Sequence, residues 1–427
     1  MRMCEVSDAT VQRSKEQIEL MAPAGSWESL QAAIKTGANS VYFGAGHLQM
    51  RSRGAAFSVD DIAAVVELAH ERGVQAYLTL NTLVYDNEYK EVDRILEACH
   101  KARIDAVIGA DPYVLESALE REVPVHLSTQ ANISNMAGVR MYARYGDVMV
   151  LARELTLEQI SRIIGEIETR DIRGPNGKRV RIELFAHGAL CVAVSGKCYM
   201  SLAQHATSAN RGDCYQTCRR KYTVTDTETD FQYEIDNQWV MSPKDLCTLP
   251  VLDRILDSGA RVLKIEGRGR APDYVHHVTT SYRRAIDAWQ SGAFDESLID
   301  TEMENLGKVF NRGFWEGGYY LGEKLDPWTK SAGSKATLTK TYIGKIENYY
   351  KKSGIAQLLL EAGDYRLGEK LLITGPTTGV VEITPESFQV DDIDAEYAPQ
   401  QSIVTFKLPE IVRQKDKVYT MLPKKRE

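Results

Sequence analysis

Four of the seven cysteines in the 427-residue chain fall on one short segment. They are Cys191, Cys198, Cys214 and Cys218, and their spacing is C-x6-C-x15-C-x3-C. Four thiolates on one loop can close a tetrahedral zinc site or ligate the corners of a 4Fe-4S cluster. Because thiolate is a soft ligand that suits both, the residues predict a metal centre and leave its identity open. The alternative is a group of unligated cysteines that pack as small hydrophobic residues.

The other three cysteines are weaker metal-ligand candidates. Cys247, in MSPKDLC, could approach the same face and substitute for one of the four ligands. Cys99 falls on the predicted helix EVDRILEACHKA, where a packed core thiol is expected, and Cys4 lies in the N-terminal segment. The predicted metal site is therefore the quartet, with Cys247 as an alternative fourth ligand.

Composition and charge restrict the class of protein. With 43% hydrophobic residues, the chain can bury a large core in more than one domain. A formal net charge of -7 argues against a protein that coats nucleic acid indiscriminately. A local basic patch is still compatible with that charge, and Arg211, Arg219, Arg220 and Lys221 would form one.

The sequence also bears on location. No apolar run is long enough to span a bilayer, and the N-terminal segment lacks the apolar stretch of a signal peptide. We therefore expect a cytoplasmic protein without a membrane partner. Thiols stay reduced in the cytosol, which favours metal ligation or catalysis over disulfides.

Repeated strand–helix units must position these residues. Short apolar runs alternate with amphipathic stretches, a pattern typical of βαβ units. We predict strands at 18–22, 40–46, 75–83, 106–112, 125–133, 148–156, 181–188 and 261–267. Eight such units favour an α/β fold with a closed (β/α)8 TIM-like barrel, and an open sheet is the alternative.

Two departures from this rhythm define the predicted domains. A cysteine-rich insertion at about 189–244 follows the seventh strand, on the side where β/α barrels carry their active sites. The barrel domain would cover 1–325, a linker 326–340, and a small C-terminal all-β barrel 341–427, where short alternating strands replace the βα pattern.

Polar residues recur at the predicted carboxyl ends of the strands, where barrel enzymes place reactive groups. These residues are Asn81, Asp111, Gln130, Asn132, Arg153, Glu154, His187, Lys264, Glu266 and Arg268. Any one of them could make only a structural hydrogen bond or ion pair, but the set predicts a polar pocket. The catalytic candidates are His187, Glu154, Lys264 and Glu266. His126 is better explained as a histidine of the core than as a catalytic residue.

Several motifs resemble those of the collagenase-like peptidases, the family of unknown catalytic type numbered thirty-two. The cysteine segment contributes, with LMAPAGSWESLQAAIKTGANSVYFG, LSTQANISN, LARELTLEQI, MSPKDL, VLKIEGR and NRGFWEGGY. The resemblance covers nearly all of the first 320 residues. Within the family, the chain looks most like the tRNA hydroxylation proteins, and the C-terminal domain looks like the extra domain of longer members.

The resemblance implies a function and a cofactor. The tRNA-hydroxylating members are linked to prephenate-dependent formation of 5-hydroxyuridine at the wobble position. Family members bind a 4Fe-4S cluster through cysteines, which carries over to Cys191, Cys198, Cys214 and Cys218. Some relatives use a distant cysteine as the last ligand, so Cys247 stays an alternative to Cys218 as the fourth ligand.

The implied substrates suggest further roles. Prephenate carries two carboxylates, and arginine binds a carboxylate through two parallel hydrogen bonds. We expect Arg153, Arg268, Arg51 and Arg312 to bind it, with Asn81, Gln130 and Asn132 as further substrate-binding residues. The basic patch would then contact tRNA phosphates, the alternative being a solvated loop face.

Two other functions remain open. One is a collagenase-like peptidase, although the chain has no G-x-S-x-G or H-E-x-x-H motif and only the neighbours His187 and Cys191 suggest a Cys–His pair. The other is a non-catalytic metal-containing partner, since relatives include paired proteins that hydroxylate ubiquinone precursors. A homologous or heterodimer partner is expected in that case.

Overall fold

The structure is a computed structural model that describes residues 17–52, 57–229, 232–233, 241–322, 328–329 and 333–424. Cys4 and much of the predicted linker lie outside these residues. The helices are α1 Trp27–Lys35, α2 Ile62–His70, α3 Tyr89–Ala102, α4 Pro112–Glu120, α5 Met136–Tyr142, α6 Leu157–Thr169, α7 Met200–His205, α8 Leu252–Asp257, α9 Pro272–Ser291 and α10 Glu296–Gly307.

The N-terminal strands are β1 Glu19–Pro23, β2 Ser40–Phe43, β3 Gln75–Leu80, β4 Ala106–Gly109, β5 Val125–Leu127, β6 Val148–Val150, β7 Arg181–Ala189, β8 Val224–Thr225, β9 Gln232–Tyr233, β10 Asp245–Cys247, β11 Val262–Ile265 and β12 Phe314–Glu316. The C-terminal strands are β13 Leu338–Tyr350, β14 Ile355–Leu360, β15 Tyr365–Arg366, β16 Lys370–Gly375, β17 Gly379–Ile383, β18 Phe388–Val390, β19 Ile393–Ala395, β20 Tyr397–Ala398, β21 Ile403–Lys407 and β22 Lys417–Pro423.

The predicted TIM-like barrel is confirmed. Strands β1 to β7 pair in sequence order, and β11 closes the barrel by pairing in parallel with both β1 and β7. The barrel strands are mostly buried apolar runs, as expected when helices cover the outside and side chains fill the inside. Capping fixes the helix starts: at α1, the Ser26 hydroxyl accepts from the Ser29 amide at 3.2 Å.

Six of the eight barrel strands are shorter than predicted, all except β1 and β7, and two additional strands extend the sheet. The segment after each strand end belongs to the loops that form the mouth of the barrel. Strand β7 continues past the barrel edge, where β10 pairs with it antiparallel and places Cys247 opposite His187. Strand β12 then pairs in parallel with β10. These three-residue strands carry too little pattern to be predicted.

The predicted all-β C-terminal domain is confirmed as an antiparallel sheet. Its eight strands run in the order β17-β16-β22-β13-β14-β21-β18-β19, with β15 and β20 as a separate pair. Strand β13 begins at Leu338, inside the predicted linker. The domain contacts the outside of the barrel through β17 and α1, where the Lys35 ammonium donates to the carbonyl of Thr378 at 2.8 Å. On α9, His277 Nε2 lies 2.7 Å from a carboxylate oxygen of Glu382.

No helix among the described residues combines the length and apolar character needed to cross a membrane. The insertion contains the antiparallel pair β8 and β9. Its residues 230–231 and 234–240 lie outside the described residues.

Candidate functional site

A cavity that opens to solvent lies at the carboxyl end of the barrel strands, and the empty space inside it and at its open mouth together is about 1020 Å³. Two parts of the chain line it. The strand ends and the loops after them contribute polar and charged side chains, and the insertion contributes the cysteine segment. This is the end at which β/α barrels carry their active sites, so the predicted insertion and the predicted pocket meet in one place.

All four cysteines of the quartet line this cavity. Cys191, Cys198, Cys214 and Cys218 are each half-buried. Burial raises the pKa of the Cys218 thiol, and the negative charges of the other three raise it further. Thiolates on the lining of one cavity repel one another, and a shared cationic centre would offset that repulsion.

The four cysteines are not arranged around a single metal ion. Among the described residues, no group of three His, Cys, Asp or Glu side chains is placed to hold a single metal ion. A tetrahedral zinc ion needs its sulfur ligands about 2.3 Å away on all sides. In a 4Fe-4S cluster each cysteine binds a different iron atom, so the ligands are spread more widely. Four soft donors on the lining of one cavity are the ligand type that both a zinc ion and an iron–sulfur cluster require.

Two predicted RNA-binding arginines hold the cysteine segment in place. The Arg219 guanidinium donates to the carbonyl of Leu190 at 2.6 Å, to the carbonyl of Pro243, and to the Ser242 hydroxyl at 3.3 Å. Burial lowers the pKa of Arg219 to about 10. These bonds connect the two ends of the insertion. Because they occupy its donors, Arg219 is not placed to bind phosphates.

Arg211 is similarly engaged. It forms an ion pair with Glu88, donates to the carbonyl of Leu83, and lies 4.1 Å over the ring of Tyr85. Only Arg220 and Lys221 of the predicted patch are exposed. The sequence could not separate the two pairs, because an arginine that binds carbonyls and one that binds phosphates look alike in sequence.

Arg153 lies on the wall of the cavity beside the cysteines. Its guanidinium lies 4.0 Å over the ring of Phe185, and among the described residues its buried Nε has no hydrogen-bond partner. A buried donor without a partner costs free energy unless a ligand or water satisfies it. Arg51, also on the wall, lies 3.7 Å from a carboxylate oxygen of Glu266 and has a left-handed backbone, with φ of 75°.

Glu266 and Arg268 lie on the loop after β11 and both line the cavity. Burial alone would raise the pKa of Glu266, but Arg51, Arg268 and Arg153 outweigh it and lower that pKa. Arg268 is buried and donates to the Thr79 hydroxyl at 2.6 Å and to Gln49 and the carbonyl of Met50. Arg268 therefore anchors the loop after β2 as well as contributing charge.

Lys264, on β11, forms a buried ion pair at the inner end of the cavity. Its ammonium lies 3.1 Å from Oε1 of Glu183 and 4.5 Å from the centre of the Tyr42 ring. Burial raises the pKa of Glu183, and Lys264 lowers it in part. The lining thus holds four cationic side chains and one carboxylate, which makes the pocket attractive to anions.

The predicted polar residues divide between two depressions. Asn81 and Gln130 line the main cavity, and the Asn81 carbonyl oxygen accepts from the Met50 amide at 3.0 Å. Asn132 and Glu154 are exposed and line a neighbouring depression of about 600 Å³, which shares Arg153 and Cys191 with the main cavity.

The structure does not bring other predicted residues to this cavity. His187 is buried against Tyr274, Tyr282 and Phe314. It still pairs with Ile265 of β11, but the register of β7 against β11 shifts by one residue just before it, and such a bulge turns the following side chain to the other face. Cys247 lies beside His187, its sulfur 3.7 Å from that of Met303.

Three further candidates serve the scaffold. Arg312 donates to Asp245 at 3.4 Å and does not line the cavity. Asp111 accepts from the amides of Tyr113 and Val84, so it caps α4 and fixes a loop. His126 is a buried barrel residue 4.4 Å from the ring of Tyr77.

Sequence reasoning missed several lining residues. Tyr42, Thr79 and Phe185 lie inside strands and face the barrel interior, where they support the charged groups. Alternation along β2, β3 and β7 could have indicated which residues point inwards, but periodicity alone does not separate the inner face from the outer when both are buried.

Comparison with known proteins agrees with this arrangement. The model of the peptidase family U32 matches residues 25–330. A protein named collagenase from Porphyromonas gingivalis is 47% identical over 402 residues, 94% of this chain and 97% of that protein. The tRNA hydroxylation protein P1 of Bacillus subtilis is 31% identical over 404 residues, 91% of this chain and 92% of that protein.

A third relative acts on a different RNA. The 23S rRNA 5-hydroxycytidine C2501 synthase of Escherichia coli is 37% identical over 277 residues, 64% of this chain and 40% of that protein. Of these three, identity is highest with the collagenase, and the two RNA-hydroxylating proteins are further relatives. The matched range includes the barrel from α1 onwards and the whole cysteine segment. The chain belongs to the peptidase family U32.

Proposed function

We propose that this protein hydroxylates a pyrimidine base of RNA, converting a tRNA wobble uridine to 5-hydroxyuridine in a prephenate-dependent reaction. The observation that carries the proposal is that the four cysteines and the cationic pocket line the same cavity. Relatives named for hydroxylation of tRNA and of 23S rRNA support RNA as the substrate class.

Each part of the cavity has a role in this proposal. Cys191, Cys198, Cys214 and Cys218 would hold a 4Fe-4S cluster, which supplies one-electron redox chemistry when bound. Arg153, with its unpartnered Nε, and Arg51 would bind the carboxylates of prephenate. Glu266, kept ionised by the neighbouring arginines, would hold those arginines in position.

The rim of the cavity offers features suited to RNA. Tyr199, next to Cys198, is 81% exposed, and an exposed aromatic ring can stack on an unpaired base. Arg220 and Lys221 are exposed on the same insertion and would contact phosphates. A flipped-out base could then reach the cavity, as enzymes that modify bases require.

The test is the nucleoside composition of tRNA from cells that lack the gene. Mass spectrometry should show that 5-hydroxyuridine-type wobble modification is lost, and that it returns with the wild-type gene but not with a Cys198→Ala variant. Unchanged modification in the deletion strain would contradict the proposal.

A second candidate is a collagenase-like hydrolase, favoured by the 47% identity to a protein named collagenase. A hydrolase needs an activated nucleophile or a metal-bound water. The described histidines His126 and His187 do not line the cavity, so the geometry gives this candidate less support. Gelatin cleavage by anaerobically purified protein, lost in an Arg153→Ala variant, would favour it.

A further inference from the structure

The buried ion pair of Lys264 and Glu183 has no role in the proposed function so far. Lys264 is 5% exposed and Glu183 fully buried, yet the ammonium end of Lys264 lines the cavity. Burying two charges is costly, and a purely structural core would be as stable with apolar residues of the same shape. The second carboxylate oxygen of Glu183, Oε2, has no hydrogen-bond partner among the described residues.

Two aromatic rings and one carboxylate surround the amine of Lys264. Its Nζ lies against two aromatic rings, at 4.5 Å from the centre of Tyr42 and 5.8 Å from the centre of Phe185. A lysine amine acts as a nucleophile only after it has lost a proton, so a proton acceptor must lie within its reach. Glu183, 3.1 Å away, is a proton acceptor fixed beside it. Burial raises the pKa of Glu183, so its carboxyl group can keep that proton.

A carboxylate site adjoins the amine. Arg153 lies 4.0 Å over the ring of Phe185, the same ring that Lys264 approaches, so the two cations flank one aromatic side chain. A 2-oxo acid carries its carbonyl carbon next to a carboxylate. Bound to Arg153 through the carboxylate, it would present its carbonyl towards Lys264.

We propose that Lys264 forms a Schiff base with the carbonyl carbon of a 2-oxo acid bound in this cavity. The inference rests on the proposed use of prephenate, which is a 2-oxo dicarboxylate, and it adds that the acid is held covalently. It assigns Lys264 as a nucleophile and Glu183 as the group that stores and returns its proton.

The step balances without an oxidant or reductant. Lys264 first passes one proton to Glu183, which leaves a neutral amine and a neutral carboxyl. The nitrogen lone pair forms a C–N bond to the carbonyl carbon while the carbonyl π pair moves to oxygen. The oxygen leaves as water together with the two hydrogens of the neutral amine, which gives a neutral imine. Glu183 then returns its proton to the imine nitrogen, which becomes the iminium. The products are a cationic iminium, an ionised Glu183 and one water.

The experiment is reductive trapping of the full-length protein with pyruvate and sodium cyanoborohydride, followed by peptide mass spectrometry. Wild-type protein should gain one reduced pyruvyl group on the peptide that contains Lys264, with saturable dependence on pyruvate. Lys264→Arg should lose this adduct, because a guanidinium can still pair with Glu183 but does not form the imine. Lys101→Arg, at an exposed lysine on α3, should keep it.

Two further arms keep the test decisive. If Lys264→Arg fails to fold, the double variant Lys264→Met with Glu183→Gln removes both buried charges and should also lose the adduct. Prephenate should protect Lys264 from trapping by pyruvate or be trapped itself. Labelling confined to exposed lysines, or an unchanged adduct in folded Lys264→Arg, would overturn the inference.

Trapping requires neither RNA nor a cluster, so its outcome is separate from that of the proposed function. An adduct on Lys264 without any tRNA hydroxylation would contradict the proposed function and leave the Schiff base standing. Hydroxylation by a Lys264→Arg protein at the wild-type rate would contradict the role of the Schiff base and leave the proposed function standing.

Discussion

The guanidinium of Arg153 lies 4.0 Å over the ring of Phe185, and among the described residues its buried Nε donates to no protein acceptor. The ring holds the flat face of the guanidinium, and the edge that carries its donors is left for a ligand. Arg153 therefore connects the barrel scaffold to the proposed chemistry, since it borders both the cysteines and Lys264.

We expect Arg153→Ala to weaken prephenate binding by about ten- to a hundred-fold, because each hydrogen bond to a charged group contributes about 1.5–3 kcal/mol. Isothermal titration calorimetry on the purified protein measures this. Arg162→Ala, at an exposed arginine on α6, should bind prephenate as the wild type does. Equal affinity in Arg153→Ala and wild type would remove Arg153 from the site.

The second prediction concerns the ligand set. Alanine at Cys191, Cys198, Cys214 or Cys218 should reduce the iron and sulfide content and the visible absorption of anaerobically purified protein. Cys247→Ala should retain both, because the Cys247 thiol lies against Met303 and Tyr282 and not in the cavity. Loss of iron in Cys247→Ala but not in Cys218→Ala would reverse the assignment of the fourth ligand.

His187 leads to a prediction about acid stability. Burial lowers its pKa to about 3, against 6.5 for an ordinary histidine. The unfolded chain therefore binds a proton that the folded chain does not, and the stability that neutral His187 provides is lost as pH falls from about 6.5 towards 3. His187→Leu should lose less unfolding free energy than wild type between about pH 7 and pH 5, measured by urea titration.

The same variant also tests the function of His187. If the residue is only part of the core, His187→Leu should retain tRNA hydroxylation near neutral pH. A large loss of turnover with an unchanged unfolding free energy would give His187 a role that its position does not suggest.

Alanine substitutions of the basic residues in the insertion should differ in their effects on tRNA binding and on thermal stability. Alanine at both Arg220 and Lys221 should weaken tRNA binding and lower the slope of log affinity against log salt by about 0.7–0.9 for each lost phosphate contact. Arg211→Ala should mainly lower thermal stability, because its ion pair with Glu88 anchors the insertion to the loop before α3. A salt slope that responds to Arg211 alone would contradict this division.

The sequence was most informative where pattern and chemistry agree. The alternation of βα units predicted the barrel, which is confirmed. The crowding of four cysteines predicted a metal centre, which stays a prediction, and the structure places all four residues on the lining of one cavity. Strands β10 and β12 were missed because three residues show no periodicity. His187 leaves the expected face at a register shift between β7 and β11, which a single sequence does not reveal.

The roles of individual charged residues were harder to predict. Arg211 and Arg219 were expected to bind RNA but are satisfied by Glu88 and by backbone carbonyls, a choice that depends on loop closure over long sequence separations. The partner of Lys264 is Glu183, 81 residues earlier in the chain. Such pairs depend on barrel register, which a single sequence does not reveal.

Hydroxylation of RNA by the purified protein tests the central claim most directly. Anaerobically prepared protein, unmodified tRNA and prephenate would be incubated together, once without and once with dioxygen as the oxidant, and the nucleosides analysed by mass spectrometry. The account predicts one added oxygen on the wobble uridine with wild-type protein, and none with Arg153→Ala or Cys198→Ala. Cluster-loaded wild-type protein that leaves the tRNA unmodified, or equal modification by both variants, would contradict it.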